Sequence, residues 1–399
     1  MEGVEKAINE AVKNDTILGA VVLARDKTGK LNYSRAFGSR QVSPEPEPMT
    51  LDTVFSIASM TKLMTSIAAL QLVERGLVKL DDDVASLLPV LARQEVLTGF
   101  SPDGVPATEK RRGPITLRHL LTHSSGVGYD FLQPEINRYK EHHKLSLAPG
   151  RTIKERFGNP LVNQPGEGWA YGGSLDWVGK LVEKLGGLTL EDYMKRHIWE
   201  PLGLKDITFW PGARPGEFRA RQAAMSIRDA ETGKAVQSRK PINISEGLVE
   251  AAGGQGAFAT MRDYMEIVHS LLVDDERLLK RQTTDIMFKP QLPSFPAAKA
   301  ALLEDFKHPD WAVGSFPDTG EYDWGLGGIL IDGDKHPHRR NGAMLWSGAP
   351  NLVWFIDRAA GLCGVFGVQV LPPADPQVTK LVEVFEQGVY SHSSVKTKL

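Results

Sequence analysis

Ser59-Met60-Thr61-Lys62 leads into Leu63-Met64-Thr65-Ser66-Ile67-Ala68-Ala69-Leu70-Gln71-Leu72-Val73, an apolar run with helical character. Residues three apart share a helix face, so Ser59 and Lys62 are expected to point into one space, about a hydrogen bond apart. A serine hydroxyl is too weak an acid to attack an ester unaided. A neighbouring amine takes its proton only when that amine is itself neutral, a state that burial favours. The helix N-terminus adds N–H groups and partial positive charge where an oxyanion would form. Taken alone the tetrad reads more readily as a surface helix start capped by Ser59. Residues elsewhere in the chain choose between the two.

The segments around it alternate in character. Val4, Ala7, Ile8 and Ala11 recur at helical spacing. Leu18 to Ala24 and Leu31 to Phe37 then read as strands joined by a turn over Asp26-Lys27-Thr28-Gly29-Lys30. Three prolines in Pro44-Glu45-Pro46-Glu47-Pro48 are expected to keep that loop out of helix and sheet. Residues 60 to 245 look mostly helical, with helices over 115–123, over 175–185 ending at Gly186-Gly187, and over 190–199 ending at Pro201. Strand patterns return at 327–331, 352–356 and 362–370, and an amphipathic helix follows over 377–389. Strands at both ends of a helical middle predict one α/β lobe, residues 1–58 and 250–399, with a mainly helical lobe, 59–249, inserted into it. A site between the lobes is expected, with long loops at 128–165 and 285–323 lining its entrance.

Composition narrows the function. The 399 residues carry 41% hydrophobic side chains and a formal net charge of −2, enough for a large core and a poor match to nucleic acid. No run of 18 apolar residues exists, so no membrane span is expected. The charged N-terminus has no signal-peptide core, and Cys363 is the single cysteine, set in the apolar stretch Gly361 to Phe366. A core cysteine in a reducing, cytoplasmic setting is the expectation. The terminal Thr397-Lys398-Leu399, loosely like the S-K-L address, leaves the peroxisome as the alternative.

Acyl transfer needs a proton relay to the leaving group and a second oxyanion donor. Tyr171, followed by Gly172 and Gly173, offers a phenol in a stretch stripped of bulk. Trp346-Ser347-Gly348 precedes a strand, where the Ala349 amide is placed to donate and Trp346 to form an apolar wall. Ser59-x-x-Lys62, Tyr171 and Trp346-Ser347-Gly348 follow the order and rough spacing of the class C β-lactamase and family VIII esterase fold. From about residue 5 to 390 the chain resembles the fungal diketide acyltransferases of that family.

The resemblance implies an antiparallel sheet flanked by helices, with the mainly helical lobe inserted. It implies Ser59 as acylated nucleophile, Lys62 and Tyr171 as acid and base, and the Ser59 and Ala349 amides as oxyanion hole. Trp346, Ser347, Gly348, Gly172 and Gly173 would contact substrate, with no cofactor and no metal. Gly173 and Trp346-Ser347-Gly348 stand where true β-lactamases carry Tyr-x-Asn and Lys-Thr-Gly, so β-lactam hydrolysis is not expected and an apolar acyl or polyketide substrate is. The implied activity moves an acyl group from a thioester or ester donor, on a carrier domain or free, to a small-molecule alcohol of secondary metabolism. The alternatives are a carboxylesterase using the same residues and a non-catalytic binding protein. Neither residue pattern nor resemblance fixes the oligomeric state.

Four other patterns point elsewhere. Gly254-Gln255-Gly256-Ala257-Phe258-Ala259 matches a dinucleotide fingerprint but lacks a preceding strand. His119 and His123 are spaced for a metal but lack further ligands, so helix packing is expected. His336, His338, Arg339 and Arg340 read as a solvated loop. Lys110-Arg111-Arg112 and Arg339-Arg340 are either solvated surface or a landing site for an acidic carrier domain.

Overall fold

The computed structural model describes residues 1–392; Thr397-Lys398-Leu399 lies outside the described residues. An eight-stranded antiparallel sheet forms the frame. Its order is Tyr322–Trp324, Ile329–Ile331, Met344–Gly348, Leu352–Asp357, Leu362–Gly367, Gly19–Asp26, Asn32–Gln41 and Glu47–Pro48. Strands from the two ends of the chain join where Val22 faces Phe366 and Leu23 faces Val365.

Both faces of this seam are covered, which is why its strands read as unbroken apolar runs rather than alternating ones. Cys363 points to one face and meets Met265 of the helix Met261–Val273, with 3.7 Å between sulfurs. Phe366 points to the other and packs on Phe385 of the helix Pro376–Tyr390. Glu2–Lys13 lies against that C-terminal helix, burying Val4, Ile8 and Ala11.

The helix Thr61–Glu74 is buried on every side from Thr61 to Leu72. A helix apolar all round belongs in a core, and each of Leu63, Ile67 and Leu70 contributes about 1.5–3 kcal/mol by leaving water. The helix packs against Ser174–Gly186. The 3₁₀ turn Ala58–Met60 at its head touches the sheet strand Met344–Gly348. Ser59 therefore sits between sheet and helices.

Several local expectations are corrected. Glu47 and Pro48 do join the sheet, pairing with Gln41 and Ser39; an outermost strand tolerates proline because one side of it needs no donor. The middle of the chain contains strands, including the hairpin Val96–Phe100 with Pro106–Glu109 and the triplet Val54–Ser56, Phe258–Thr260 and Ile207–Thr208. The helix expected over 115–123 is only Leu117–Leu121, capped by Thr116, and the backbone turns left-handed at His123 (φ 58°). The helix from Leu190 passes through Pro201 and ends at Gly203.

The His336–Arg340 segment is not solvated as a whole. Arg339 is buried and paired with Glu386 at 2.8 Å, and His338 Nε2 donates to the same carboxylate at 2.9 Å. A guanidinium on the sequence-distant C-terminal helix's carboxylate is invisible to local polarity. The segments expected as entrance loops also carry helices, at Pro134–His142, Ile153–Phe157 and Pro296–Asp305.

Candidate active site

Lys62 is 2% exposed and its Nζ lies 3.2 Å from Ser59 Oγ, as helical spacing requires. The amine is held by two further groups. It donates to the Gly254 carbonyl at 2.7 Å and lies 3.2 Å from the Tyr129 hydroxyl. A carbonyl only accepts, so Gly254 always takes one amine proton. The remaining lone pair or proton faces two hydroxyls, those of Ser59 and Tyr129, which is the geometry of a proton relay.

Tyr171 occupies a different place from the one expected of it. Its hydroxyl accepts from the Trp346 indole N–H at 2.9 Å, while its ring lies under the amine, with Nζ 4.6 Å from the centroid. The phenol hydrogen-bonded to Lys62 is Tyr129, which sequence reasoning missed. A tyrosine in a glycine loop 67 residues from Lys62 carries no spacing signal. Burial pushes the Tyr129 phenol well above its usual range, so it stays protonated at neutral pH.

Ser59, Tyr129, Tyr171, Trp346, Ser347 and Ala349 open onto one cavity of about 120 Å³, whose outer wall includes Phe131, Trp311 and Val313. Both entrance segments named from sequence thus reach it. Trp311 stands 5.5 Å from Tyr171 and Trp346 stands 4.8 Å from Trp324, ring centre to ring centre. The lining is aromatic and apolar around few polar groups, as in small-molecule sites generally. Gly172, Gly173 and Gly348 are not on its wall. A Cβ on Gly172 would collide with the Val127 carbonyl, one on Gly173 with the Phe157 ring, and one on Gly348 with the Ile57 carbonyl. These glycines let neighbouring backbone close in around Tyr171 and Ser59.

The other sequence patterns resolve into packing. His119 completes the capping box with Thr116 and packs edge-on to Phe295. His123 is fully buried, its ring 4.7 Å from Tyr171, and burial pushes its pKa well down. Among the described residues no cluster of three or more His, Cys, Asp or Glu is placed to hold a metal, and no helix is long and apolar enough to cross a membrane. Gly254, from the decoy dinucleotide pattern, is part of the lysine's environment instead.

A serine hydroxyl and a buried amine meet at the head of a core helix beside an antiparallel sheet, and the Beta-lactamase family profile matches residues 4–388; the chain belongs to that family. It is similar to monacolin J acid methylbutanoyltransferase of Aspergillus terreus, 42% identical over 394 residues covering 97% of this chain and 95% of that one. It is also similar to the lovastatin esterase of Penicillium rubens, 40% identical over 385 residues, 95% of this chain and 96% of the other. The crystal structure of unliganded simvastatin synthase (LovD) from A. terreus superposes with a TM-score of 0.89 at 39% identity, covering 98% of both chains. The fold expected from sequence is the fold observed, and the chain is an enzyme of the serine acyltransferase type.

Proposed function

We propose that Ser59 carries the acyl group between donor and acceptor. Ser59 Oγ attacks the carbonyl carbon of a thioester or ester while its proton passes to Lys62 Nζ. The tetrahedral oxyanion lies against the amides of Ser59 and Ala349. As the carbonyl re-forms, the bond to the donor's sulfur or oxygen breaks, and the leaving group takes the proton from Lys62 through a tyrosine hydroxyl. An acceptor alcohol then gives its proton to Lys62, attacks the acyl carbon and releases Ser59 Oγ, which recovers the proton. Every proton taken up by the amine is returned.

The observation that carries this reading is the 3.2 Å contact between Ser59 Oγ and a buried Lys62 on an apolar cavity. The acceptor we propose is an alcohol of a secondary metabolite, and the acyl group a short branched chain, by analogy with the substrate named for the A. terreus relative. A carrier-domain thioester is the donor we favour. Lys110 and Arg112 remain exposed to meet an acidic domain, whereas Arg339 is buried and cannot. The site belongs, in this reading, to the seam between an α/β lobe, 1–58 with 250–399, and a helical lobe, 59–249. Hydrolysis is the same chemistry with water as acceptor, and the P. rubens relative's name supports that second reading.

Intact mass after mixing with a short acyl thioester tests it, for wild type and Ser59→Ala, with a chase of water or polyketide alcohols. Acyl mass on wild type alone, lost faster to an alcohol, is the expected result. Equal loss to water makes the protein an esterase, and no Ser59-dependent adduct from any donor leaves a binding protein.

A further inference from the structure

Asp176 is wholly buried in the first turn of the helix Ser174–Gly186, and nothing in the mechanism above uses it. Its Oδ1 accepts from the Gly254 amide at 2.9 Å, and Oδ2 is buried without a hydrogen-bond partner. Leaving a carboxylate oxygen unpaired in a protein interior is costly. The same residue Gly254 presents its carbonyl to Lys62 Nζ at 2.7 Å. One glycine is thus held by the carboxylate at its N–H and by the amine at its C=O. A Cβ on Gly254 would collide with Asp176 Oδ2, so the close approach depends on glycine. Thr65, one turn after Lys62, secures the preceding carbonyl of Gly253 at 2.6 Å.

We propose that Asp176 is a positioning residue for Lys62: through Gly254 it fixes the carbonyl that holds one amine proton, and its carboxylate is the counter-charge to the ammonium formed as Ser59 is acylated. This rests on the Ser59–Lys62 reading above. The groups facing the carboxylate are Lys62 from the nucleophile helix, Arg156 from Ile153–Phe157, the Tyr129 phenol, and the Gly254 amide. Asp130 also acts electrostatically on Arg156. Burial raises the Asp176 carboxyl to about 6, with Lys62 and the Gly254 amide pulling it back, so the carboxylate is ionised at neutral pH. Below about pH 6 the carboxyl takes up a proton and the counter-charge is lost, so the acidic limb of kcat/KM reports Asp176.

Asp176→Asn keeps an oxygen for the Gly254 amide and removes the charge. The counter-charge is then absent at every pH, so kcat/KM at neutral pH falls roughly tenfold and the acidic limb at about 6 is lost. Asp176→Ala also frees Gly254 and is expected to cost roughly a further tenfold or more in kcat/KM. Gly254→Ala drives the carboxylate away from the other side and is expected to weaken the same limb; it decides the matter should Asp176→Asn not fold. The measurement is release of p-nitrophenolate from p-nitrophenyl butanoate against pH, with circular dichroism on each variant. A limb unmoved in every folded variant, with acylation still dependent on Ser59, would overturn the proposal and leave Asp176 a structural residue. Acylation surviving in Ser59→Ala would sink the nucleophile assignment and this inference with it, a result distinct from an unmoved limb.

Discussion

The Trp346 indole N–H donates to the Tyr171 hydroxyl at 2.9 Å, joining the sheet strand Met344–Gly348 to the head of the helix Ser174–Gly186 inside the aromatic wall of the cavity. Both side chains are at least nine-tenths buried. Tyr171→Phe leaves a buried N–H unpaired and is expected to cost about 1–3 kcal/mol, whereas removing both polar groups costs less than the sum of the parts. Thermal unfolding of Tyr171→Phe, Trp346→Phe and the double variant checks this; strictly additive losses would show that the bond contributes nothing of its own.

Tyr129 is expected to matter for rate rather than for folding. Tyr129→Phe keeps the ring against Phe131, to which it is stacked with centroids 4.9 Å apart, and removes the hydroxyl facing Lys62. Acyl-enzyme formation should slow roughly 10²-fold, the lower range for loss of a proton-transfer partner, with an unchanged melting temperature. Wild-type acylation kinetics in this variant would assign the relay to Tyr171 alone.

Lys62→Ala should slow acylation by about 10³-fold or more, because it removes the amine 3.2 Å from the Ser59 hydroxyl. Acyl mass appearing on this variant at near-normal rate would remove Lys62 from that role.

Acid stability should depend on Glu386. Burial alone would raise its carboxyl, but Arg339 and His338 more than reverse this and hold it at about 2. A carboxyl depressed in the folded state contributes stability that is full above its unfolded value, about 4.3, and is lost as pH falls toward 2. Wild type should therefore lose melting temperature between these limits. Glu386→Gln leaves the Arg339 guanidinium buried without its counter-charge, which costs about 3–5 kcal/mol, and flattens that part of the profile. The loop that carries Trp311 should loosen too, since Arg339 also donates to the Ser315 carbonyl. A variant with the wild-type acid profile would mean that other carboxyls govern it.

Trp346→Lys restores the cation that β-lactamases carry at this place, yet it is not expected to create efficient β-lactam turnover. The substitution also strips the donor from Tyr171 and leaves Gly173 unchanged. Strong cephalosporin hydrolysis would show that the lysine alone sufficed.

The amino-acid sequence by itself determined the pair at the centre of this protein. Three residues of helix bring Ser59 and Lys62 together whatever surrounds them, and unbroken apolar runs mark the core strands, as apolar periodicity marks the terminal helices, because burial sets residue type locally. It could not determine what closes around the amine. Tyr129 and Gly254 reach Lys62 from separate parts of the chain, and Asp176, bonded to the Gly254 amide, carries no mark beyond being a lone acid in Ser174-Leu175-Asp176-Trp177-Val178. Arg339 likewise looks solvated until Glu386 is folded beside it. Partners like these are chosen by which surfaces meet in three dimensions, and a buried charge reveals its counter-charge only once the elements have packed.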